Sequence, residues 1–336
     1  MYAKRWQPVT LAFEDLPEGQ VLILGAHASD KALIDGLRQK LEQAVIADFS
    51  LLSTFSPHEV RAVIDLGTND PTDYGWVAFL QQVIEDSAHP TIRLIHVSRS
   101  SQFRGGPSRL DRANPGQSRP GGASPGQVSI GSGLYQSLGS EYRKVRSTCL
   151  ELEEVNVASA VQAILEVLSD PSDRVILRKK GDQWEAPFLA ELGGGAQKAV
   201  LQGPVLITGG TRGLGMACAQ HLVKEYGVKQ LLLLGREALP ERSAWEVHQT
   251  EDTMLGKKLR DLLYLEQLGA SLRVLHTPLT DKEALRHSLD EVAEDWGPIR
   301  GFLHCAGIAD TTTPAFINKT LAGISAVQAP KVAGLN

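Results

Sequence analysis

The eight residues Thr208-Gly209-Gly210-Thr211-Arg212-Gly213-Leu214-Gly215 constrain this chain more than any other stretch. They follow a short apolar run, Val205 to Thr208, that reads as a buried strand, and they open a helical pattern over Met216 to Tyr226. In that setting three glycines have separate duties. Gly209 lets the chain turn sharply, Gly213 lets the backbone approach a pyrophosphate, and Gly215 allows the helix to pack close to the strand. The helix N-terminus then offers unpaired N–H groups and the positive end of its dipole. A glycine-rich turn by itself is only a tight connection. With a strand before it and a helix after it, the loop predicts a nucleotide phosphate site.

The next predicted strand, Gln230 to Leu234, ends in Gly235-Arg236. Folds specific for NAD usually carry Asp or Glu there, to accept from the ribose 2′-hydroxyl. Here Arg236, with Arg212 from the loop, is suited to a bidentate pair with a 2′-phosphate, and the residues favour NADPH. Two other readings stand beside this one. Surface arginines without a ligand are the plainer alternative, and a small register shift would put the carboxylate of Glu237 at the same place.

At 336 residues the chain exceeds the usual single domain, and 42% hydrophobic residues suffice for two cores. Strand–helix alternation runs through the first half. Strands are expected at Val21–Leu24, Ala62–Asp65, Thr91–Val97 and Thr148–Leu152. Helices are expected over about Asp30–Gln43, Tyr74–Ile84, Leu134–Tyr142 and Val157–Leu168, with a closing hairpin at Arg174–Leu177 and Trp184–Leu189. The pattern predicts an α/β fold: two successive Rossmann-like units with mostly parallel, covered sheets. The glycines Gly193-Gly194-Gly195 mark the boundary between a domain over 1–197 and a second over 198–336. Between Ser98 and Gln127, closely spaced Gly and Pro residues exclude helix and strand and predict a long loop. Its arginines, Arg104, Arg109, Arg112 and Arg119, are read as a solvated polar surface, with an anionic partner as the alternative.

A net charge of −5 gives no reason to expect nucleic acid. Cys149, Cys218 and Cys305 lie too far apart for metal-ligand spacing or a disulfide framework, which fits a reducing compartment. The opening residues lack the apolar core of a signal peptide, and no apolar run would cross a bilayer. A cytoplasmic chain with no metal and no membrane partner is the expectation.

The loop from Thr208 to Gly215, the run Leu231 to Arg236 and Gly301-Phe-Leu-His-Cys-Ala-Gly-Ile308 together resemble the short-chain dehydrogenase/reductase superfamily. More narrowly, the chain is similar to ketoreductase domains of modular polyketide synthases. Tyr2–Leu11, Gly133–Tyr142 and Arg174–Leu192 resemble that family's N-terminal structural subdomain, a truncated Rossmann unit that binds no cofactor. Leu24-Gly25-Ala-His-Ala-Ser-Asp30 agrees, because its single glycine cannot make a phosphate turn.

The resemblance assigns roles. Cofactor contacts fall on Thr208 to Gly215, Gly235, Arg236, Leu279, Ala306 and Gly307. Pro278 stands where the family usually has an aspartate near the adenine, which leaves backbone contacts there. His304 occupies an ordinary structural place beneath the nicotinamide ribose. Lys331, in Ala329-Pro330-Lys331-Val332, resembles the catalytic lysine that holds the ribose and lowers the pKa of a tyrosine. The family's serine, proton-donating tyrosine and asparagine would follow Asn336, and Ser325 is no substitute. The second unit is therefore expected to lack its C-terminal part, and the chain alone is expected not to reduce a ketone. The activity implied is NADPH-dependent reduction of a β-ketoacyl thioester on an acyl carrier protein, among neighbouring synthase domains. A non-catalytic brace between such domains is the alternative, although a pure scaffold needs neither the phosphate loop nor Lys331. A free-standing metabolic dehydrogenase would leave the first domain without a purpose.

Overall fold

The alternation of strands and helices builds two separate sheets in the computed structural model, which describes residues 2–16, 18–24, 30–46, 56–67, 75–99, 132–191, 201–313, 315–332 and 334. One unit comprises Met1–Gly194 with Thr313–Leu321, and the other Gly195–Thr312 with Ala322–Asn336. The segment 313–321 thus departs from the expected domains 1–197 and 198–336: its backbone hydrogen bonds and buried side chain lie in the first unit. Gly25, Gly193–Gly195 and the four loop arginines fall outside the described residues.

In the first unit β1 (Tyr2–Pro8), β2 (Gln20–Leu24), β3 (Ala44–Ile46), β4 (Val60–Asp65), β5 (Ile92–Arg99), β6 (Val145–Glu153), β7 (Ile176–Lys180) and β8 (Gln183–Glu191) form one sheet. Its order is β1-β8-β7-β6-β5-β4-β2-β3. Strands β2 to β7 run parallel, whereas β8 is antiparallel to β7 and β1 to β8. The helices are α1 (Lys31–Lys40), α2 (Gly75–Asp86), α3 (Ser132–Glu141) and α4 (Val157–Ser169). Strand β5 continues through Ser98 and Arg99, two residues into the expected loop. The parallel pairing with β6 reaches that far and satisfies their backbone.

Helix α4 shows why this sequence makes this element. Asn156 caps it by accepting from the Ser159 N–H at 2.9 Å, an interaction worth about 1 kcal/mol. Ala160, Val161, Ala163, Ile164, Val167 and Leu168 recur at helical spacing and are all buried. At its other end the buried Arg93 of β5 donates from Nε and Nη2 to the Val167 carbonyl, at 3.2 and 2.8 Å. That supplies a donor to one of the carbonyls a helix leaves unpaired at its C-terminus. Burial lowers the Arg93 pKa to about 10.

In an open parallel sheet a ligand would sit beyond the carboxyl ends of the strands where the strand order reverses, here beside β2 and β4. Side chains occupy the ends of β4 and β5. Asp65 Oδ2 lies 3.0 Å from His96 Nδ1, and Asp65 Oδ1 accepts from the Gly67 N–H at 2.8 Å. His96 stacks on Tyr135, which stacks on Trp76, with centroids 4.9 and 5.2 Å apart.

The second unit holds β9 (Val205–Thr208), β10 (Gln230–Leu234), β11 (Ser271–Leu275) and β12 (Gly301–His304), all parallel, in the order β11-β10-β9-β12. With them run α5 (Gly213–Tyr226), α6 (Trp245–His248), α7 (Met254–Gln267), α8 (Lys282–Trp296) and α9 (Leu321–Val332). Alternate strand residues feed two cores. Val205, Ile207, Leu231 and Leu233 meet Met216, Ala219 and Leu222 of α5 and Leu259, Leu262 and Leu265 of α7. Leu206, Leu232 and Leu234 meet Val292 of α8 on the other face. A strand covered on both faces has no polar side to show, which is why Leu231–Leu234 is an unbroken leucine run. Among the described residues no helix is long and apolar enough to cross a membrane.

Candidate functional site

Helix α5 begins at Gly213, three residues before the expected Met216, so the last glycines of the loop form its first turn. The loop leaves β9 through Gly209, at φ +66°, whose N–H donates to the Leu234 carbonyl at 2.7 Å. A β-carbon on Gly209 would stand 2.8 Å from the Cys305 carbonyl, and one on Gly215 would stand 2.2 Å from the Gly209 carbonyl. The helix therefore packs directly on the turn, and neither position admits a side chain without movement. Gly213 differs. It has φ +56°, but a β-carbon there would meet nothing within 4 Å.

The remaining loop residues set this arrangement. Gly210 lies against the Ile207 carbonyl, and the buried Thr211 packs its hydroxyl end against Gly235. Arg212 occupies the N-cap in extended conformation, and its side chain makes no capping hydrogen bond. Leu214 is exposed on the first turn of α5. The result is a helix N-terminus without a side-chain cap, beside an open glycine, at the carboxyl end of a parallel strand. An anionic diphosphate fits those donors and that space.

Residues from three other strand ends converge on the same unit. Thr208 Oγ1 lies 2.8 Å from His304 Nδ1 and accepts from the Ala306 N–H at 3.3 Å, tying the end of β9 to the turn after β12. Lys331 is exposed near the end of α9, and its Cε would be 3.6 Å from a β-carbon on Gly307. The expected lysine and the Ala306-Gly307 turn are thus adjacent. Leu279, beyond β11, packs its side chain into the core with Leu234 and Val292, so it can offer only backbone to a ligand. Arg236 is exposed just past β10. Among the described residues no cluster of His, Cys, Asp and Glu has the makings of a metal site.

One participant is absent from the sequence-based expectation. Lys258 of α7 forms an ion pair with Glu237, the residue after Arg236. Its signal was available: Lys258 falls on the apolar stripe with Leu259, Leu262 and Leu265, where a lysine needs a partner.

Parallel strands in the order third-second-first-fourth, with a glycine-rich turn between the first strand and its helix, define a Rossmann-type fold. The family model described as "KR domain" matches residues 203–336. Polyketide synthase PksL of Bacillus subtilis (strain 168) is 32% identical over 99% of this chain and 7% of its own length. The 5-methyl-1-naphthoate synthase of Streptomyces sahachiroi is 39% identical over 39% of this chain, again 7% of that protein. A solved ketoreductase domain from the bacillaene assembly line superposes with TM-score 0.65 at 17% identity, covering 99% of this chain and 68% of that one. For A-type ketoreductases from a modular polyketide synthase the values are 0.70, 23%, 99% and 70%. Those two likenesses show the fold. Residues 203–336 thus match the ketoreductase family model, the chain is similar over 99% of its length to a polyketide synthase, and its fold is that of polyketide synthase ketoreductase domains. The chain spans about 7% of the length of each of these two synthases.

Proposed function

We propose that this chain is the cofactor-holding part of a reductase that uses NADPH to convert a β-ketoacyl thioester, carried on an acyl carrier protein, to its β-hydroxy form. The supporting observation is the second unit's strand-end cluster: an open Gly213 at the uncapped start of α5, with Lys331 beside Gly307.

The amides of α5's first turn bind the pyrophosphate, and Arg212 and Arg236 pair with a 2′-phosphate. Thr208 fixes the Ala306 N–H and the His304 ring, which shapes the floor under the nicotinamide ribose. Lys331 holds that ribose through its hydroxyls. When bound, the cofactor supplies the hydride that the ketone carbon receives. The neighbouring synthase domains are partners in this reading, and the first unit serves as a structural companion without a cofactor.

Fluorescence titration of the chain with NADPH and NADH tests the first half of the proposal. Tighter binding of NADPH is expected, and equal affinities would overturn the cofactor assignment. NADPH consumption with a β-keto thioester, on the full polypeptide carrying this chain, tests the second half. Lys331→Met should abolish turnover there, and undiminished turnover would overturn its role.

A further inference from the structure

Glu237 sits one residue past Arg236, at the end of β10, where a free carboxylate would accept from a ribose 2′-hydroxyl and repel a 2′-phosphate. Its Oε2 is instead engaged by Lys258 Nζ. The two partners differ in setting: the Lys258 side chain is 8% exposed and that of Glu237 65%. Lys258 therefore reaches out from the apolar stripe of α7, flanked by Leu259 and Leu262, to the surface at the end of β10. The Glu237 carboxyl is held below the usual carboxylate range, first by the hydrogen bond and charge of Lys258, then by the charges of Arg212 and Arg236. Both arginines thus lie within electrostatic reach of this one carboxylate. Three cations and one anion share the place, an excess of positive charge suited to a phosphate ester.

We infer that Lys258 is a positioning residue for cofactor choice: by holding Glu237 in an ion pair, it withdraws the carboxylate and leaves Arg212 and Arg236 for a 2′-phosphate. The inference rests on the NADPH reading above. It adds a residue from a different helix, one that does not itself touch the cofactor. It also explains how a chain with a glutamate beside the strand end can still favour the phosphorylated dinucleotide.

The test is a set of dissociation constants for NADPH and NADH, read by fluorescence at low ionic strength on the whole chain. Lys258→Met keeps the length and apolar contacts of the stem while removing the charge. It should weaken NADPH binding about tenfold or more and leave NADH within about threefold of its original affinity, the direction expected when a like charge is freed beside a phosphate. Adding Glu237→Gln in the same chain should restore most of the NADPH preference, because the freed carboxylate is then gone. Lys258→Arg should retain it throughout. If Lys258→Met lowers the folded fraction, Lys258→Gln, which keeps a donor but no charge, gives the same comparison. A Lys258→Met chain with the original NADPH/NADH ratio overturns the inference alone. So does a double variant no better than Lys258→Met. Equal affinities in the unmodified chain overturn the NADPH reading and this inference with it.

Discussion

Thr208 Oγ1 and His304 Nδ1 lie 2.8 Å apart, joining the ends of two paired parallel strands. The Ala306 N–H donates to the same oxygen, so one hydroxyl ties the end of β9 to both the imidazole and the turn after β12. Thr208→Val keeps the shape and removes the hydroxyl, leaving two groups without their partner. We expect a loss of about 1–3 kcal/mol in stability, the cost of unpaired polar groups. Weaker NADPH binding should accompany it, with Thr208→Ser intermediate. Denaturant unfolding and cofactor titration on one preparation check both effects. A valine variant with unchanged stability would show the hydroxyl to be dispensable.

Two glycines in one loop should fail differently. Gly209→Ala forces a β-carbon to 2.8 Å from the Cys305 carbonyl at a positive φ, and should lower the melting temperature. Gly213→Ala meets no atom, so only the left-handed backbone opposes it, at about 1–2 kcal/mol. Its methyl group would nevertheless occupy the space in front of α5. Gly213→Ala should therefore fold nearly as well as the original while binding NADPH at least ~10-fold more weakly, a loss of ~1.4 kcal/mol. Unimpaired binding by that variant would place the phosphates elsewhere.

Asp65, paired with His96, makes a pH-dependent contribution to the first unit. Burial raises the Asp65 pKa, but the His96 hydrogen bond and charge and the Gly67 amide outweigh it and hold the carboxyl below its ordinary 3.8. A depressed carboxyl stabilises the fold above its unfolded pKa, and that contribution is lost as pH falls through the folded value. Asp65→Asn should cost about 1.5–3 kcal/mol near neutral pH, as for losing hydrogen bonds to a charged group, and the gap from the original should narrow below about pH 4. Urea unfolding followed by tryptophan emission suits this, since Trp76 belongs to the stack. A gap independent of pH would mean that the carboxylate's charge is not what matters.

Gln81 Nε2 donates to the carbonyls of Phe316 and Lys319 at 2.7 and 2.9 Å. Glu141 Oε2 accepts from the Phe316 N–H at 2.9 Å, and the Tyr142 hydroxyl oxygen from the Ile317 N–H at 3.1 Å. Phe316 is fully buried. Phe316→Ala should cost about 3–5 kcal/mol and expose a new protease site between 313 and 321. Gln81→Ala should cost about 1–3 kcal/mol by leaving two carbonyls short of a donor. Resistance of both variants to limited proteolysis would show the segment to be held by something else.

Much of this architecture could be read from periodicity. Leu231–Leu234 and Val205–Thr208 announce strands buried on both faces, and the stripe of α4 announces a helix packed on a sheet. The geometry of the glycine-rich loop was legible for the same local reason, since Gly209 and Gly215 are defined by atoms a few residues away or at the next strand end. The start of α5 was misplaced because Gly213 and Gly215 weaken a helix by propensity, and the packing of Gly215 on Gly209 appears only in the fold. The binding of segment 313–321 was invisible. Its partners Gln81, Glu141 and Tyr142 are distant in sequence, and the short apolar run Ala315-Phe316-Ile317 carries no period. Lys258 signalled its need for a partner by its place on an apolar stripe, but which partner it finds depends on where α7 meets the end of β10.

The burial of Phe316 in the first unit bears on the order in which the protein matures during synthesis. Domains generally acquire their structure from the N-terminus as the chain emerges. Here the first unit cannot seat its last core side chain until β9 to β12 of the second have already left the ribosome. Its early form must wait with a vacancy beside Gln81 and Glu141, so a chaperone or a stalled ribosome would meet an unfinished N-terminal unit throughout that interval.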